Sequence, residues 1–459
     1  MLKPYDGYKE TNIPWLTEIP SHWSMLRNKN VLFEQKELVG DNATDYTLLS
    51  LTLNGVIARD MESGKGKFPK EFNSYKIVNK DNIIFCLFDV DETPRTVGLS
   101  KLEGMITGAY DVFEVKNINR DYLYYYYLSV DNAKDMKPLY TGLRKVIGIP
   151  KFLGTKLPVP LREEQDQIVK YLDWQTSKIN TFIKAKKKQI ELLKEQKQAI
   201  INKAVTKGLD DTVPMKDSGI EWLGEVPKHW EVNRLKRFCK INASITNLAK
   251  AYADNDELVF LPMENVSIDG KIDCSLKRPF KEIKSGYSSF AKHDVVIAKI
   301  TPCFENGKGA CLDELETEIG YGTTELITIR AYNNILPKYL YLVTMTQYFR
   351  LNGAEQMTGS AGQKRVPTDF LTNFIQGIPP LEEQKAIVTY LEEKTALIDK
   401  AIPVIEKEIE LVSEYKTSLI SSVVTGKVNV SNVVVPDFEV VEDEISEDEG
   451  LEVDMDDSN

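Results

Sequence analysis

Histidine and paired cysteines are the scarcest chemistry in this 459-residue chain, and their scarcity excludes a good deal. The five cysteines, Cys86, Cys239, Cys274, Cys303 and Cys311, form no Cys-x-x-Cys pair, and only three histidines accompany them. Neither a zinc site nor a disulfide framework is indicated, and the cysteines read as reduced core thiols. No apolar run approaches the ~18 residues of a membrane span, and Met1-Leu2-Lys3-Pro4 leads into no signal-type apolar core. The expectation is a cytoplasmic protein without membrane contact. Nucleotide-binding glycine patterns are missing too: Asn306-Gly307-Lys308-Gly309 lacks both the upstream glycine and the following Ser or Thr of a phosphate loop. With no nucleophile elbow, metal cluster or Asn-Pro-Pro-Tyr motif either, the chain reads as non-catalytic, holding no metal or cofactor of its own.

Positive charge is also short, but unevenly. The net charge is −11, yet residues 428–459 hold twelve Asp or Glu and no Lys or Arg, so the rest of the chain stands at +1. The acidic tail is expected to be disordered, and the remainder to be neutral overall with local basic patches.

What the sequence has in abundance is itself, twice over. Glu164-Gln165, Ile168-Val169, Tyr171-Leu172, Ile179 and Ile190-Glu191-Leu192 recur 219 positions later as Glu383-Gln384, Ile387-Val388, Tyr390-Leu391, Ile398 and Ile409-Glu410-Leu411. Trp15-Leu16, Glu18, Pro20, His22-Trp23 and Arg27 recur 207 positions later as Trp222-Leu223, Glu225, Pro227, His229-Trp230 and Arg234. A period near 200 residues means duplicated domains, because solenoid repeats run to roughly 20–50. In the second copy Ile398, Ile402, Ile405, Ile409, Val412 and Lys416 alternate by four and three, and the same phase in the first copy falls on Ile179, Ile183, Lys186, Ile190, Leu193 and Lys197. That spacing is a helix–helix seam. His22 and His229, each beside a tryptophan and away from any second His or Cys, read as packing and hydrogen-bonding residues.

Ahead of each long helix lie short strands. Tyr46 to Leu53, Ile83 to Phe88 and Tyr110 to Val115 have strand composition, matched by Leu258 to Met263, Val295 to Ile300 and Glu325 to Arg330. Tyr122 to Leu128 and Tyr339 to Met345 read as short aromatic helices. The expected fold class is α+β: two tandem α+β domains, each followed by a long helix, the two helices packing as an antiparallel coiled coil. The boundaries are 1–158 for the first domain, 159–207 for its helix, 208–219 for a linker, 220–376 for the second domain, 377–427 for its helix and 428–459 for the tail. Pro403 falls inside the second helix, where a kink is expected near Ala401. About 45 residues at 1.5 Å each make a rod of roughly 65 Å.

Basic loops sit at matched places in the two halves. Arg95 follows one predicted strand, and Lys299, Asn306 and Lys308 follow its counterpart. Arg144 and Lys145 precede Pro150, as Gln363, Lys364 and Arg365 precede Pro367. Such side chains on loops reach phosphates and the major-groove edges of G and A. Asp273 with Glu282 and Lys284 is the nearest approach to the acidic pair and lysine of a metal-dependent nuclease, but the usual preceding proline is absent and surface charge is the better account.

Trp-Leu-x-Glu-x-Pro-x-His-Trp opening each half, with Pro-Pro-Leu-Glu-Glu-Gln-x-x-Ile-Val-x-Tyr-Leu (Pro379 to Leu391) opening a helix, resembles the specificity subunit of type I restriction-modification systems. The resemblance spans roughly Trp15 to Lys427. The first copy departs by one extra residue in Val159 to Gln165, and the acidic tail lies outside the pattern. It implies a non-catalytic subunit whose two domains each read half of a split target in double-stranded DNA. Its helices would dock two methyltransferase subunits and, in systems that cleave, two restriction subunits. S-adenosylmethionine, ATP and Mg²⁺ would belong to those partners. A protein-only scaffold with duplicated interaction domains is the alternative in a different class.

Overall fold

The computed structural model describes residues 3–59, 71–141, 145–360 and 362–442. It divides into two compact units, Met1–Lys188 with Ile405–Asn459, and Gln189–Val404. The boundary cuts through both long helices, so each helix is shared between the units and neither stands as a separate spacer domain.

The first unit is built on a four-stranded antiparallel sheet in the order Leu32–Gln35, Asp111–Val115, Ile83–Phe85, Val97–Leu99. Helix Arg120–Asn132 packs on it because Tyr122, Leu123, Tyr126, Tyr127 and Val130 recur at helical spacing and are all buried. Asn119 starts that helix, its side-chain oxygen accepting from Asp121 N at 2.9 Å and Tyr122 N at 3.0 Å. Phe85 meets Tyr127 and Phe152 with ring centroids 4.9 and 4.8 Å apart, so the aromatic tract forms the core.

The second unit repeats the plan, with Cys239–Ile241, Leu326–Ala331, Val295–Ala298 and Gly309–Cys311 in the same order under helix Pro337–Met345. A second sheet, Lys277–Pro279, Glu257–Leu261, Ile319–Gly322 and Ser288–Ala291, contains one parallel pair, Glu257–Leu261 with Ile319–Gly322. Two tandem α+β domains, each with its long helix, are thus present. In both units a strand after the His-Trp motif pairs with the strand leading into the long helix: Ser24–Arg27 with Lys156–Val159, and Glu231–Arg234 with Ile375–Ile378.

The long helices are Arg162–Lys207 and Leu381–Val424, the latter continuous through Pro403. The stripe is visible in burial. Ile179, Ile190, Ile398 and Ile405 are buried, and Ile183, Leu193, Ile402, Ile409 and Val412 are partly buried, whereas the off-stripe Leu192, Leu397, Val404 and Leu411 are more than half exposed. In the first unit Lys186 Nζ lies 2.6 Å from Glu408 and Lys416 Nζ 2.9 Å from Asn180, so one helix segment ascends as the other descends. In the second, Lys197 Nζ donates to Asp399 at 2.6 Å. Lysines at stripe positions therefore find acceptors on the facing helix, which specifies register at some cost in stability.

Two expectations need correction. Part of the 208–219 linker is the strand Met215–Asp217, paired antiparallel with Glu225–Pro227 as Tyr8–Ile13 is with Leu16–Pro20. The start of the tail, residues 428–442, is ordered against the first unit, with Val430 fully buried and Val435 nearly so. Gln167 donates to the carbonyls of Val430 (3.0 Å) and Val433 (2.7 Å), and Asn180 to that of Val441 (2.7 Å), while Val441 N donates to Ser177 Oγ (3.1 Å). Charge is the reason: only three of the twelve acids precede residue 443, and valines fill the gaps. The second helix carries Ala386, Ala396 and Asp399 where the first has Gln167, Ser177 and Asn180, so this clasp is built on one helix alone. Val430→Ala, removing two buried methyl groups at ~0.8 kcal/mol each, is expected to cost the first unit about 1.5 kcal/mol in urea unfolding. No loss would mean that the segment only rests on the surface.

Among the described residues, no helix is long and apolar enough to cross a membrane. Cys86, Cys239 and Cys274 are buried, and burial pushes the Cys86 and Cys239 thiols up to about 12.

Candidate nucleic-acid interface

The matched basic loops are brought together by one backbone device used in both units. In the second, the chain leaving Val295–Ala298 stays extended: Thr301 N donates to Lys364 O at 3.0 Å and Val366 N to Lys299 O at 2.8 Å. Lys299, Lys308 and the Gln363-Lys364-Arg365 run are thereby carried on adjoining segments. In the first unit Asp89 N donates to Lys145 O and Ile147 N to Leu87 O, both at 2.7 Å, which sets residues 145–147 beside the segment after Ile83–Phe85. Arg144 lies outside the described residues.

The turn after the second unit's strand depends on Gly307. Its φ is +75°, a left-handed conformation that favours glycine, and a Cβ there would also make the Arg350 guanidinium, 2.7 Å away, move aside. Asn306 beside it is exposed and Lys308 half-buried.

Three of the candidate cations are already neutralised within their own unit. Arg95 Nη1 lies 2.9 Å from the fully buried Asp131, which also accepts from Thr96 N, Thr96 Oγ1 and Lys134 Nζ. Lys145 Nζ bonds Glu92, and that hydrogen bond raises its pKa. Beside it, the Tyr140 hydroxyl bonds Asp91 and lowers that carboxyl to about 2. Arg365 makes a two-pronged contact with Glu325, both arms 2.9 Å, which holds the Glu325 carboxyl below its usual range. Lys364 and Gln363 are exposed. Asp91 sets a pH window: with its folded pKa depressed, the stabilisation is complete above ~4 and is lost as pH falls toward 2. Hydrogen exchange at the Asp89 and Ile147 amides is therefore expected to quicken at pH 3 relative to pH 6, and to become less pH-sensitive in Tyr140→Phe after correction for the intrinsic rate.

The nuclease reading gains nothing. Lys284 pairs with Asp254 at 2.8 Å, and the Asp273 carboxyl accepts from Ser275 N at 2.9 Å, which lowers its pKa.

The most closely built feature is one the sequence showed without explaining. Trp23 Nε1 donates to Glu164 Oε1 at 3.1 Å, Tyr5 OH to the same oxygen at 2.6 Å, and His22 Nε2 lies 3.0 Å from Oε2. In the second unit Trp230 Nε1 donates to Glu383 at 3.1 Å and His229 Nε2 lies 2.7 Å from it. The next residue is used alike: Gln165 donates to Pro160 O (2.9 Å) and accepts from Asn119 N (2.7 Å), as Gln384 does with Pro379 O and Leu336 N, both 2.8 Å. The recurring His-Trp and Glu-Gln pairs are thus two halves of a clamp fixing the first turn of each long helix to its domain. The signal was their joint recurrence, which named no partners.

The family described as "Type I restriction modification DNA specificity domain" matches the chain twice, over residues 28–192 and 227–410. The specificity subunit of the EcoAI type I restriction enzyme of Escherichia coli is 42% identical over 179 residues, covering 38% of this chain and 30% of that protein. The EcoEI specificity subunit of the same organism is 38% identical over 179 residues, covering 38% and 29%. The chain thus spans under a third of these two relatives in the matched region. The MjaVIII specificity subunit of Methanocaldococcus jannaschii is similar throughout, 30% identical over 456 residues, covering 93% of this chain and 98% of that one. A solved chain from a structure of complex assembly in the type I R-M system shares the fold, with a TM-score of 0.59 at 13% identity, covering 89% of this chain and 99% of that chain. With two matches spanning most of its length, the chain belongs to the type I restriction-modification DNA specificity family and carries that family's domain in tandem.

Proposed function

We propose that this chain is the non-catalytic DNA-recognition subunit of a type I restriction-modification complex, each unit reading one half of a two-part duplex target. One observation carries the reading. The same strand pairing in both units presents the same two loops side by side, and those loops differ in sequence between units while the clamp beneath them is held constant. A duplicated frame with divergent basic loops suits two different base sequences. The long helices would dock two methyltransferase subunits and, in a cleaving system, two restriction subunits. Those partners would bind S-adenosylmethionine, ATP and Mg²⁺, and the complex would work in the cytoplasm.

Lys364→Ala with Arg365→Ala tests the loop directly. A base contact is worth about 1–3 kcal/mol of discrimination, so binding to the cognate duplex by the assembled complex is expected to weaken roughly 5- to 160-fold. Unchanged affinity and an unchanged motif would remove this loop from the interface. Failure of the wild-type complex to bind duplex DNA in low salt would favour the protein-scaffold reading instead.

A further inference from the structure

The internal duplication makes it possible to ask which exposed charges the two units keep in common and which they vary. Arg27 and Lys29 recur as Arg234 and Lys236, 207 positions on, and all four are exposed. Unlike Arg95, Lys145 and Arg365, none of these four is ion-paired to an acid among the described residues; the one side-chain contact is Arg234 Nη1 with the neutral Asn373 Oδ1 at 3.4 Å. Each pair sits at the turn following an equivalent strand, Ser24–Arg27 or Glu231–Arg234.

The surroundings also correspond. In the first unit the pair lines an open cleft of about 600 Å³ with the short helix Ile149–Gly154 and with Glu34 and Lys36, which pair with each other at 3.1 Å and leave Arg27 and Lys29 as its unpaired cations among the described residues. The counterpart of that helix, 219 positions on, is Thr368–Asn373, which supplies the Asn373 that Arg234 touches. Both short helices begin just after the base-reading loops proposed above. In the first unit Lys151 of this helix donates to Tyr140 O at 3.1 Å, tying it to the residue before Thr141. Unneutralised cations therefore stand one short helix away from the variable loops, at a position that does not vary.

Sequence-independent charge beside sequence-dependent loops has a physical meaning on DNA: phosphate contacts fix position and orientation, whereas base contacts specify. We propose that Arg27 with Lys29, and Arg234 with Lys236, are a matched pair of phosphate-backbone clamps that seat each unit on the duplex whatever bases its loops read. This rests on the DNA-recognition reading and adds residues to it.

The test uses the assembled complex and two duplexes, one with its target motif and one without. Arg27→Ala/Lys29→Ala and Arg234→Ala/Lys236→Ala are compared with the wild type across 50–200 mM salt. Loss of two phosphate contacts is expected to flatten the slope of log K against log salt by about 1.8 for either variant. The affinity loss should be equal on both duplexes, with the motif unchanged. Arg27→Lys/Lys29→Arg should keep the wild-type slope, separating lost charge from a damaged fold. An unchanged slope in the alanine variants would overturn the proposal, as would a loss confined to the target duplex. Complexes that no longer assemble would also overturn it, making the patch a docking face for a partner subunit. A wild-type complex that binds neither duplex would instead sink the DNA reading itself.

Discussion

Glu164→Ala is expected to cost the first unit about 3–5 kcal/mol, more than any single change in the loops. Trp23 is fully buried and Tyr5 nearly so, and both donate to one carboxylate oxygen. Removing it strands two donors, each at about 1–3 kcal/mol, and takes a negative charge from the first turn of a 46-residue helix, worth a further 0.3–1 kcal/mol. Glu383→Ala should cost less, about 2–3 kcal/mol, because it strands only the Trp230 donor and its side chain is 28% exposed against 9% for Glu164. Glu164→Gln keeps an acceptor for both donors and should lose less than half of the alanine effect. Urea midpoints followed by tryptophan fluorescence, at constant m, measure all three. A Glu164→Ala cost under 1 kcal/mol, or a glutamine variant as damaged as the alanine, would show that packing alone holds the helix to the domain.

The clamp illustrates what one sequence discloses. The long helices run Arg162–Lys207 and Leu381–Val424, close to the repeat that announced them, since a four-three spacing held in the same phase from Ile179 to Lys197 and from Ile398 to Lys416 leaves little else possible. Tyr122 to Leu128 and Tyr339 to Met345 became helices Arg120–Asn132 and Pro337–Met345 because their aromatic faces needed a sheet to cover. Strand cores were legible from β-branched runs, though shorter than expected, as at Ile83–Phe85.

Side-chain partners were not legible. Arg95 and Asp131 lie 36 positions apart, and Arg365 and Glu325 lie 40 apart. Local composition holds no information on such pairs, so cations already paired with an acid looked like unpaired ones. The strand Met215–Asp217 was hidden because its three residues show no alternation. The ordered start of the tail was hidden behind the average charge of the whole segment.

The largest functional effect is expected from exchanging residues 222–374 for the same region of a family member with a different target. Most of the second domain's strands, loops and short helices lie within this stretch, and its core takes no residue from 1–158; the strands Met215–Asp217 and Ile375–Ile378 and the long-helix residues Ile201, Ala204, Val205, Ile387, Val388 and Leu391 that complete that core are left unexchanged. Each mismatched base pair costs about 1–3 kcal/mol, so a half-site of about three pairs shifts preference by at least about 3 kcal/mol, more than a hundredfold. The measurement is a genome-wide map of the adenines methylated by the assembled complex, before and after the exchange. The account predicts a two-part motif in which one half is replaced and the other is kept base for base. Replacement of both halves, or a motif left as it was, would contradict the claim that each unit reads its own half of the target.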